Sequence, residues 1–552
     1  MEGRSRRLFA ELHAGCFFRE MPRQYPPRGR GSEFTNQLFE QLADTPASVL
    51  AGYAASLVVI WYVTTGFAAW YRLRHIPGPF LGSFSFAWDV YYSCTGRVER
   101  MATVHDDYAN GGPLVRVAPN HVVTNDPEIL RRIASARTRY TRDAWFKGTR
   151  FHREYDNVAS IPGNEEHDRL KAKFASGYNG RENGADFEPA IDSQVDALTT
   201  LINRKYLSTA DETKPAELSS LIRYFTLDTI TRLAYGKPWG HLDEGTDVTG
   251  YCTFLYENMK YLNMFMEIPL LRNIMYSPYG LTMFGPRESD AAGAGRVMGI
   301  IHEIVTQRLQ TDEKSRNWRD MLGGWVRSGL TQQEIEGEAN LQILAGAETT
   351  ATALSATLMH LSTTPHAYLR LKREIRDSIA NGAVAADRPA TFEQAQKLPY
   401  LNSVVWEGFR MCPPVNFGHY KSVPPGGDTI NGVFLPGGTA IGHNSMAMTK
   451  TKAIFGRDVE LFRPERLLEP ECDAETRAYR INSLHMVFGG GRWTCSGKQV
   501  ALYELHKAVF EIMRRFDLQV LDPKKAWKVA HYTTPTLSGM FIRITEADWS
   551  VV

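Results

Sequence analysis

A long uncharged stretch lies near the N-terminus of the chain. Ala47–Ala69 runs without a charge, whereas residues 1–46 are mostly polar and Arg-rich with little periodicity. At about 1.5 Å per residue, a helix of this length crosses a hydrocarbon layer roughly 30 Å thick. Arg72 and Arg74 follow, and cationic flanks stay on the cytosolic side. We predict a polar tail followed by a transmembrane anchor and hinge over residues 47–75; a buried core helix and a cleaved signal peptide are the alternatives.

Two strong helical patterns follow in the C-terminal half. Thr331 and Glu334 form a capping box that opens an apolar run ending before Pro365, about 33 residues or roughly 50 Å at 1.5 Å each. A second helical pattern covers residues 497–516. No Ser/Gly-rich linker, charge block or internal repeat divides the remainder, so residues 76–552 are predicted to form one large unit.

Composition narrows the function classes. The 63 basic and 61 acidic residues give a formal charge of +2, which is too balanced to indicate nucleic-acid binding. Hydrophobic residues make up 43% of the chain, enough for a large core. The six cysteines are widely scattered and contain no CxxC pair, which is typical neither of a disulfide framework nor of a zinc site.

One cysteine has an unusual setting. Three glycines, Gly489 to Gly491, precede Cys495, and the second helical pattern starts directly after it. Glycines let the backbone turn tightly and approach a flat ligand closely. A sulfur at a helix N-terminus is stabilised as a thiolate by free N–H groups and the helix dipole. The alternative is a buried free cysteine after a glycine-rich turn.

The middle of the long helix carries small and polar residues together. Ala345, Gly346, Glu348 and Thr349 occur within five positions, and Ala345 and Thr349 share a helix face. Small side chains admit a planar cofactor, and Gly346 with the threonines permits a local distortion of the helix. Glu348 and Thr349 are candidate proton-transfer groups. An ordinary helix whose threonines bond back to their own carbonyls is the alternative.

A third pattern joins charges on a predicted helix. Glu407 and Arg410 lie three residues apart on one face, and the helix ends at Cys412 before two prolines. Taken alone, this spacing is common on protein surfaces. Arg466 lies in a later Pro-Glu-Arg segment, before the cysteine loop.

These segments together resemble the cytochrome P450 family. Phe488 to Gly497 is similar to its haem-binding signature, residues 345–349 to its oxygen-activation motif, and Glu407, Arg410 and Arg466 to its buried charge cluster. The sequence around the cysteine is most similar to that of fungal microsomal P450s of the pisatin demethylase type. The resemblance implies a mainly α fold with a smaller β part, the P450 fold, behind an N-terminal transmembrane helix.

The resemblance also implies contacts with haem b. It makes Cys495 the axial ligand of the iron, with Phe488 packed by the sulfur and Gly497 easing the turn into the helix. One position departs from the family pattern. Trp493 stands where the family usually has Arg or His to reach a haem propionate, and Arg492 lies one residue earlier.

Further haem contacts are implied on another helix. His167 and Lys171 match two propionate-binding positions four residues apart, with a solvated helix face as the alternative. Lys421 is another propionate candidate. Residues 251–284, rich in aromatics and methionines, form either an access channel resting on the membrane or core packing between helices.

Electrons must come from outside the chain, because it has no flavin or nicotinamide fingerprint. The resemblance implies NADPH–cytochrome P450 reductase as partner, with cytochrome b5 as a second donor. The other expected partners are membrane lipid and an apolar small molecule, and no nucleic acid is expected. The resemblance implies that the protein lies in the endoplasmic reticulum membrane with its catalytic domain in the cytosol. Basic residues in or after the cysteine loop would steer an acidic donor; they are Arg492, Lys498, Lys507, Arg514 and Arg515.

The resemblance implies a haem-thiolate monooxygenase that inserts one oxygen atom from O2 into an apolar organic substrate in fungal secondary metabolism. A P450-fold enzyme whose net reaction is desaturation, ring expansion, coupling or isomerisation is the alternative. An isomerase or dehydratase that binds no O2 would need no Glu348–Thr349 pair. A non-catalytic haem or ligand binder would be expected to lose that pair before the axial cysteine.

Overall fold

The computed structural model describes residues 45–178, 187–311, 318–468, 470 and 472–551 of the 552. The predicted polar tail over residues 1–46 therefore lies outside the described residues, apart from its last two positions. By their internal contacts the residues divide into two compact units, Met1–Thr65 and Gly66–Val552. The described part of the first unit is the beginning of a single helix, and the second unit contains every sheet described below.

Helices form most of the described chain, which confirms the mainly α prediction. In chain order they are α1 (Ala47–Leu73), α2 (Phe80–Phe84), α3 (Ala87–Thr95), α4 (Val104–Ala109), α5 (Pro127–Ala134), α6 (Asn164–Tyr178), α7 (Phe187–Leu201), α8 (Leu218–Tyr235), α9 (His241–Glu244), α10 (Tyr251–Glu267), α11 (Pro269–Met275), α12 (Pro278–Phe284), α13 (Gly293–Gln310), α14 (Met321–Arg327), α15 (Gln332–Ser362), α16 (Pro365–Ala380), α17 (Phe392–Lys397), α18 (Pro399–Met411), α19 (Ser445–Thr449), α20 (Lys452–Phe455), α21 (Ala474–Leu484) and α22 (Lys498–Arg515).

Strands form a smaller part of the described residues. They are β1 (Leu114–Ala118), β2 (His121–Thr124), β3 (Thr141–Arg142), β4 (Ala216–Glu217), β5 (Phe417–Ser422), β6 (Asp428–Ile430), β7 (Val433–Leu435), β8 (Ala440–Asn444), β9 (Phe516–Val520), β10 (Lys528–Ala530), β11 (Thr536–Ser538) and β12 (Phe541–Glu546). One sheet has the order β1-β2-β8-β5-β3, with β2 and β8 parallel. A second has the order β4-β12-β9, and β6-β7 and β10-β11 are two-stranded ribbons.

Helix α1 is the one described helix that is long and apolar enough to cross a membrane. It has a mean hydropathy of 1.7, and none of its most apolar 18-residue window is buried. Leu57, Trp61 and Phe67 are among its exposed side chains. The helix extends past the predicted Ala69 to Leu73. That last residue is fully buried in a core cluster with Leu114, so the predicted hinge is partly core.

Helix α15 runs through the main hydrophobic core. It packs against α8, α13, α18 and α22, and apolar residues on all sides suit a helix enclosed by others. The predicted capping box is present at Thr331 and Glu334, and the helix ends at Ser362. Helix α18 approaches it closely at Gly408, where a Cβ atom would lie 1.9 Å from the Thr357 Oγ1 atom. A glycine is required there for the two helices to touch.

Candidate functional site

The cysteine loop forms a tight structure between two short helical turns and α22. The backbone N–H of Cys495 donates to the carbonyl oxygen of Phe488 at 2.8 Å. Gly491 has a φ of +51°, and a Cβ there would lie 2.0 Å from the carbonyl oxygen of Ala134. Helix α22 begins at Lys498, three residues after the cysteine and one residue later than the predicted start at residue 497.

Among the free cysteines within the described residues, only Cys495 is exposed. The N–H groups of Gly497 and Lys498 and the ammonium of Lys171 favour its thiolate. Although the residue has accessible surface, the protein packed around the sulfur disfavours the charged form, and this desolvation outweighs those groups and raises the pKa of the thiol. The helix N-terminus alone therefore does not produce a thiolate, and a metal ion bound to the sulfur would supply the missing stabilisation.

Two cationic side chains, Lys421 and Arg142, lie near Trp493 of this loop or near each other. The Lys421 ammonium lies 4.6 Å from the ring centroid of Trp493 and 4.5 Å from that of Phe146. Burial and the nearby Arg142 lower the pKa of Lys421, and burial lowers the pKa of Arg142 to about 10, although Glu338 and Asp168 oppose this shift. The Nε atom of Arg142 and the indole Nε1 atom of Trp493 are buried with no hydrogen-bond partner among the described residues. A ligand with carboxylate groups would compensate these charges and accept these bonds.

The two residues of α6 that were predicted to bind haem propionates, His167 and Lys171, contact different partners. The Lys171 Nζ atom donates to the carbonyl oxygens of Arg492 at 2.9 Å and Thr494 at 2.6 Å, so it binds the cysteine loop itself. His167 is buried, and its Nδ1 atom lies 2.9 Å from the Asp168 carboxylate. Burial and the nearby Arg142 lower the pKa of His167 to about 4. A neutral imidazole at this position can donate one hydrogen bond but brings no charge to a ligand.

Most of the basic residues in and after the loop, which were predicted to steer an acidic donor, are paired with acidic side chains. Arg492 pairs with Asp168 at 3.4 Å and donates to the Ala136 carbonyl oxygen at 2.7 Å. The others are paired as well: Lys507, fully buried, with Glu188 and Asp192, Arg514 with Glu511, and Arg515 with Asp196 and Glu511. Lys498 instead has its Nζ atom 5.7 Å from the Phe488 ring centroid. Acidic residues from α6, α7 and α22 itself therefore offset four of these five charges, and the steering of an acidic donor stays a prediction.

The predicted proton-transfer residues lie side by side on α15. The Thr349 hydroxyl donates to the Ala345 carbonyl oxygen at 2.6 Å, which is the back-bonded arrangement given above as the alternative. Ala345 is exposed in the middle of a mostly buried helix, and Thr349 is half-buried. Gly346, by contrast, faces α8: a Cβ there would lie 3.0 Å from the Ile230 Cγ1 atom. Its small size serves helix packing, and α15 continues through it without a break.

Glu348 is buried beside a cation that the sequence did not reveal. The Arg223 Nε atom lies 3.7 Å from the Glu348 Oε2 atom, with both side chains about nine-tenths buried. Burial raises the pKa of Glu348; Arg223 partly offsets this, and Asp247 adds to it. Arg223 is 125 positions away in the sequence, on α8, so no local spacing could have indicated the pair. Arg142 on β3 lies near Lys421, and no local spacing in the sequence indicated this either.

Glu407, Arg410 and Arg466 form one hydrogen-bonded cluster with no exposed surface. Arg410 donates to both carboxylate oxygens of Glu407, at 2.9 and 2.8 Å, and Arg466 donates to Oε1 at 2.9 Å. The backbone N–H of Arg463 adds a bond of 2.8 Å to the same oxygen. The two guanidinium groups also donate to backbone carbonyls of the segment before the cysteine loop; these belong to Thr449, Phe455, Asp458, Val459 and Leu461.

One further region lies where the sequence indicated a substrate path. Residues 251–284 form α10 to α12, and much of their apolar surface is exposed, including Leu270, Tyr279 and Phe284. The C-terminal turn that precedes β11 contacts the long helix, because the Thr352 hydroxyl donates to the Pro535 carbonyl oxygen at 3.1 Å.

The comparisons with known proteins agree with one another. A family model described as Cytochrome P450 matches residues 88–540. "Cytochrome P450 monooxygenase ABA1" of Pyricularia oryzae is 39% identical over 520 residues, 92% of this chain and 99% of the relative. A protein of the same name from Botryotinia fuckeliana is 38% identical over 482 residues, 86% of this chain and 92% of its own. "Pisatin demethylase" of Fusarium vanettenii is 28% identical over 479 residues, 85% of this chain and 89% of its own.

Proposed function

The chain belongs to the cytochrome P450 family, whose cofactor is a haem-thiolate iron, and from this membership we propose a specific activity for it. The protein is a monooxygenase that inserts one oxygen atom from O2 into an apolar organic substrate in fungal secondary metabolism. The observation that carries this proposal is the exposed Cys495 thiol before α22, in a loop whose Trp493 has a buried indole N–H with no hydrogen-bond partner among the described residues.

The cofactor is proposed to be haem b with Cys495 as its axial ligand. Trp493, Lys421 and Arg142 would hold the propionates, since Trp493 and Arg142 each have a buried N–H with no partner among the described residues and the Lys421 ammonium lies against the Trp493 ring. Bound haem supplies the one-electron chemistry that activates O2 and cleaves its O–O bond. In this assignment Lys171 and Arg492 are positioning residues, since both are bound to the loop or to its neighbours.

Glu348 and Thr349 are proposed to deliver the protons that O–O cleavage consumes. The raised pKa of Glu348 keeps a proton available above the range of an ordinary carboxyl group. Arg223 opposes this, so the ion pair sets how readily Glu348 accepts and releases the proton. The Thr349 hydroxyl can turn from the Ala345 carbonyl towards a water and hold it in place.

Thr349→Ala should separate oxygen activation from haem binding. Haem content and substrate affinity should remain largely intact, because the hydroxyl bonds only to a carbonyl of its own helix. NADPH consumption should continue while product per NADPH falls and hydrogen peroxide is released. General acid–base groups contribute about 10²–10⁴-fold, so product formation should drop clearly. The measurement is the ratio of product and peroxide to NADPH.

Thr350→Ala is the matched control, since this buried threonine faces about 100° away on the same helix. Its coupling ratio should stay near that of the unaltered protein. Equal losses at both positions would indicate damage to α15, and full coupling in Thr349→Ala would disprove the proposed relay.

The reaction itself is tested by reconstitution. Full-length protein, NADPH–cytochrome P450 reductase and NADPH are combined with metabolites extracted from a host expressing the enzyme, with cytochrome b5 as an optional second donor. Under ¹⁸O2, mass spectrometry should show a product that carries one heavy oxygen atom. Turnover that persists without O2 or reductase would instead indicate an isomerase or dehydratase. Desaturation would consume O2 and leave no heavy oxygen in the product.

We also propose that α1 anchors the enzyme in the endoplasmic reticulum membrane with a cytosolic catalytic domain. Removing residues 1–65 should release haem-loaded protein from membranes, apart from any association through the exposed surface of α10 to α12. Removing residues 1–75 should be less well tolerated. It deletes buried Leu73, worth about 1.5–3 kcal/mol, and a carbonyl at Trp70 that Arg116 binds.

Sedimentation of membranes and haem per chain are measured for both truncations. A form lacking residues 1–65 that binds no haem would show that this part of α1 belongs to the core. Equal thermal stability of the two truncations would contradict the assignment of residues 66–75 to the globular unit.

A further inference from the structure

Three buried residues with metal-binding side chains meet at a place that the oxygenase chemistry does not use. Asp89 lies on α3, His121 begins β2, and Glu267 is the last residue of α10. Their exposed fractions are 0%, 3% and 0%. One ligand atom from each lies within 4.8 Å of the others. Residues far apart in the sequence therefore converge in a dry interior.

Each of the three side chains has an atom with an unmet bonding demand. Asp89 Oδ2, His121 Nδ1 and Glu267 Oε2 are buried and have no hydrogen-bond partner among the described residues. The second oxygen of each carboxyl group accepts one hydrogen bond: Ser93 donates to Asp89 at 3.4 Å, and Trp145 donates to Glu267 at 2.8 Å. Buried polar atoms left in this state cost stability, and three of them in one cluster indicate a shared partner.

The charges around the cluster indicate the sign of that partner. Asp89 and Glu267 are close enough to interact directly, and Arg272 interacts electrostatically with Glu267 and with Asp143. With a neutral imidazole and all three carboxyl groups ionised, one guanidinium would leave a net charge of about −2. Burial disfavours that charge and raises the pKa of Asp89 and of Glu267. A divalent cation would bring the sum to zero.

We propose that Asp89, His121 and Glu267 bind a divalent transition-metal cation of the zinc or manganese class. One imidazole nitrogen and two carboxylate oxygens suit these ions. An ion in the plane of three atoms no more than 4.8 Å apart lies about 2.8 Å or less from each, and small shifts would reach the usual distances of about 2.0–2.2 Å. Water would complete the coordination.

A second group of similar composition lacks these properties. Glu288, His302 and Glu336 also lie within 4.8 Å of one another by their ligand atoms, but Glu288 is exposed. The Glu336 carboxylate already accepts bonds from His302, Tyr155 and a glutamine side chain. This group has no unmet demand and serves as the internal control.

The bound cation would join three parts of the fold. Helix α3, strand β2 and the end of α10 come from separate stretches of sequence, and a common ion would hold them together as a short cross-link does. The site is a structural one: its ligands belong neither to the cysteine loop nor to the long helix.

The test is the metal content of the full-length haem protein, purified in detergent from cells supplied with zinc and manganese. Mass spectrometry of the metals should give about one equivalent of zinc or manganese per chain beside the iron. Glu267→Gln and Asp89→Asn keep the side-chain size and should each lose this metal while retaining haem. His302→Ala, in the control group, should retain both.

Chelation and reloading keep the proposal testable if a variant fails to fold. The chelated full-length protein should bind Zn²⁺ or Mn²⁺ alone with one-site stoichiometry, and its thermal midpoint should rise as metal is returned. If the unaltered protein neither carries nor takes up either ion, the proposal fails, and the two carboxyl groups share a proton instead. Metal retained by both folded variants would equally overturn it.

Discussion

Glu407→Gln is expected to yield little or no haem-loaded protein. The substitution keeps the size of the side chain and removes the carboxylate that Arg410 and Arg466 share, all three without exposed surface. Arg466 also pairs with Asp458 at 3.1 Å, so Arg410 is the residue that loses its carboxylate partner. Leaving a buried charge uncompensated costs about 3–5 kcal/mol, against a total stability of about 5–15 kcal/mol for a typical protein. The measurement is haem per chain in the soluble or detergent-extracted fraction, together with the thermal midpoint.

Glu128→Gln is the matched control. Glu128 and Arg131 have the same three-residue spacing, but both side chains are partly or largely exposed. Exposed pairs contribute about 0–1 kcal/mol, so haem content should not change. A stable Glu407→Gln holoenzyme with normal haem content and only slower turnover would show that the cluster acts in catalysis rather than in folding.

Cys495→Ala should abolish the long-wavelength absorption band that thiolate ligation gives the reduced, CO-bound protein. The loop geometry leaves this sulfur exposed at the start of α22, with Lys171 and two backbone N–H groups favouring its negative charge. Alanine removes the only atom of the side chain that can bind iron. Monooxygenase product should fall below detection, because thiolate donation favours O–O cleavage.

Cys94→Ala supplies the comparison, since Cys94 is another free cysteine with a partly accessible side chain. It should keep the band and the activity. If Cys495→Ala retained an unchanged band, another residue would be the axial ligand, and the assignment of the whole loop would be wrong.

The features predicted well from the sequence are those that depend on residues close together along the chain. The capping box at Thr331, the uncharged run from Ala47 and the prolines after Met411 each fix an element boundary through neighbouring residues. The family assignment likewise rests on short motifs in a fixed order, and the match over residues 88–540 confirms it.

The features that the sequence did not predict depend on partners distant along the chain. Gly346 is small because Ile230 of another helix packs on it. Lys507 lies next to the cysteine loop in the sequence, yet Glu188 and Asp192 neutralise it from more than 300 positions away. No periodicity or spacing encodes such contacts, because they arise only when the helices assemble.

The bonds from Arg410 and Arg466 to backbone carbonyls have a consequence for the order of folding. The segment from Thr449 to Leu461 places several carbonyls on these two side chains instead of on a regular helix or sheet ladder. Helix α18 holds one of the arginines and leaves the ribosome first, so it can form while the rest is still being made. The segment gains its bonds only after that helix has docked, and non-local contacts of this kind form late. Capture of the cofactor by the cysteine loop should therefore be among the last steps of maturation.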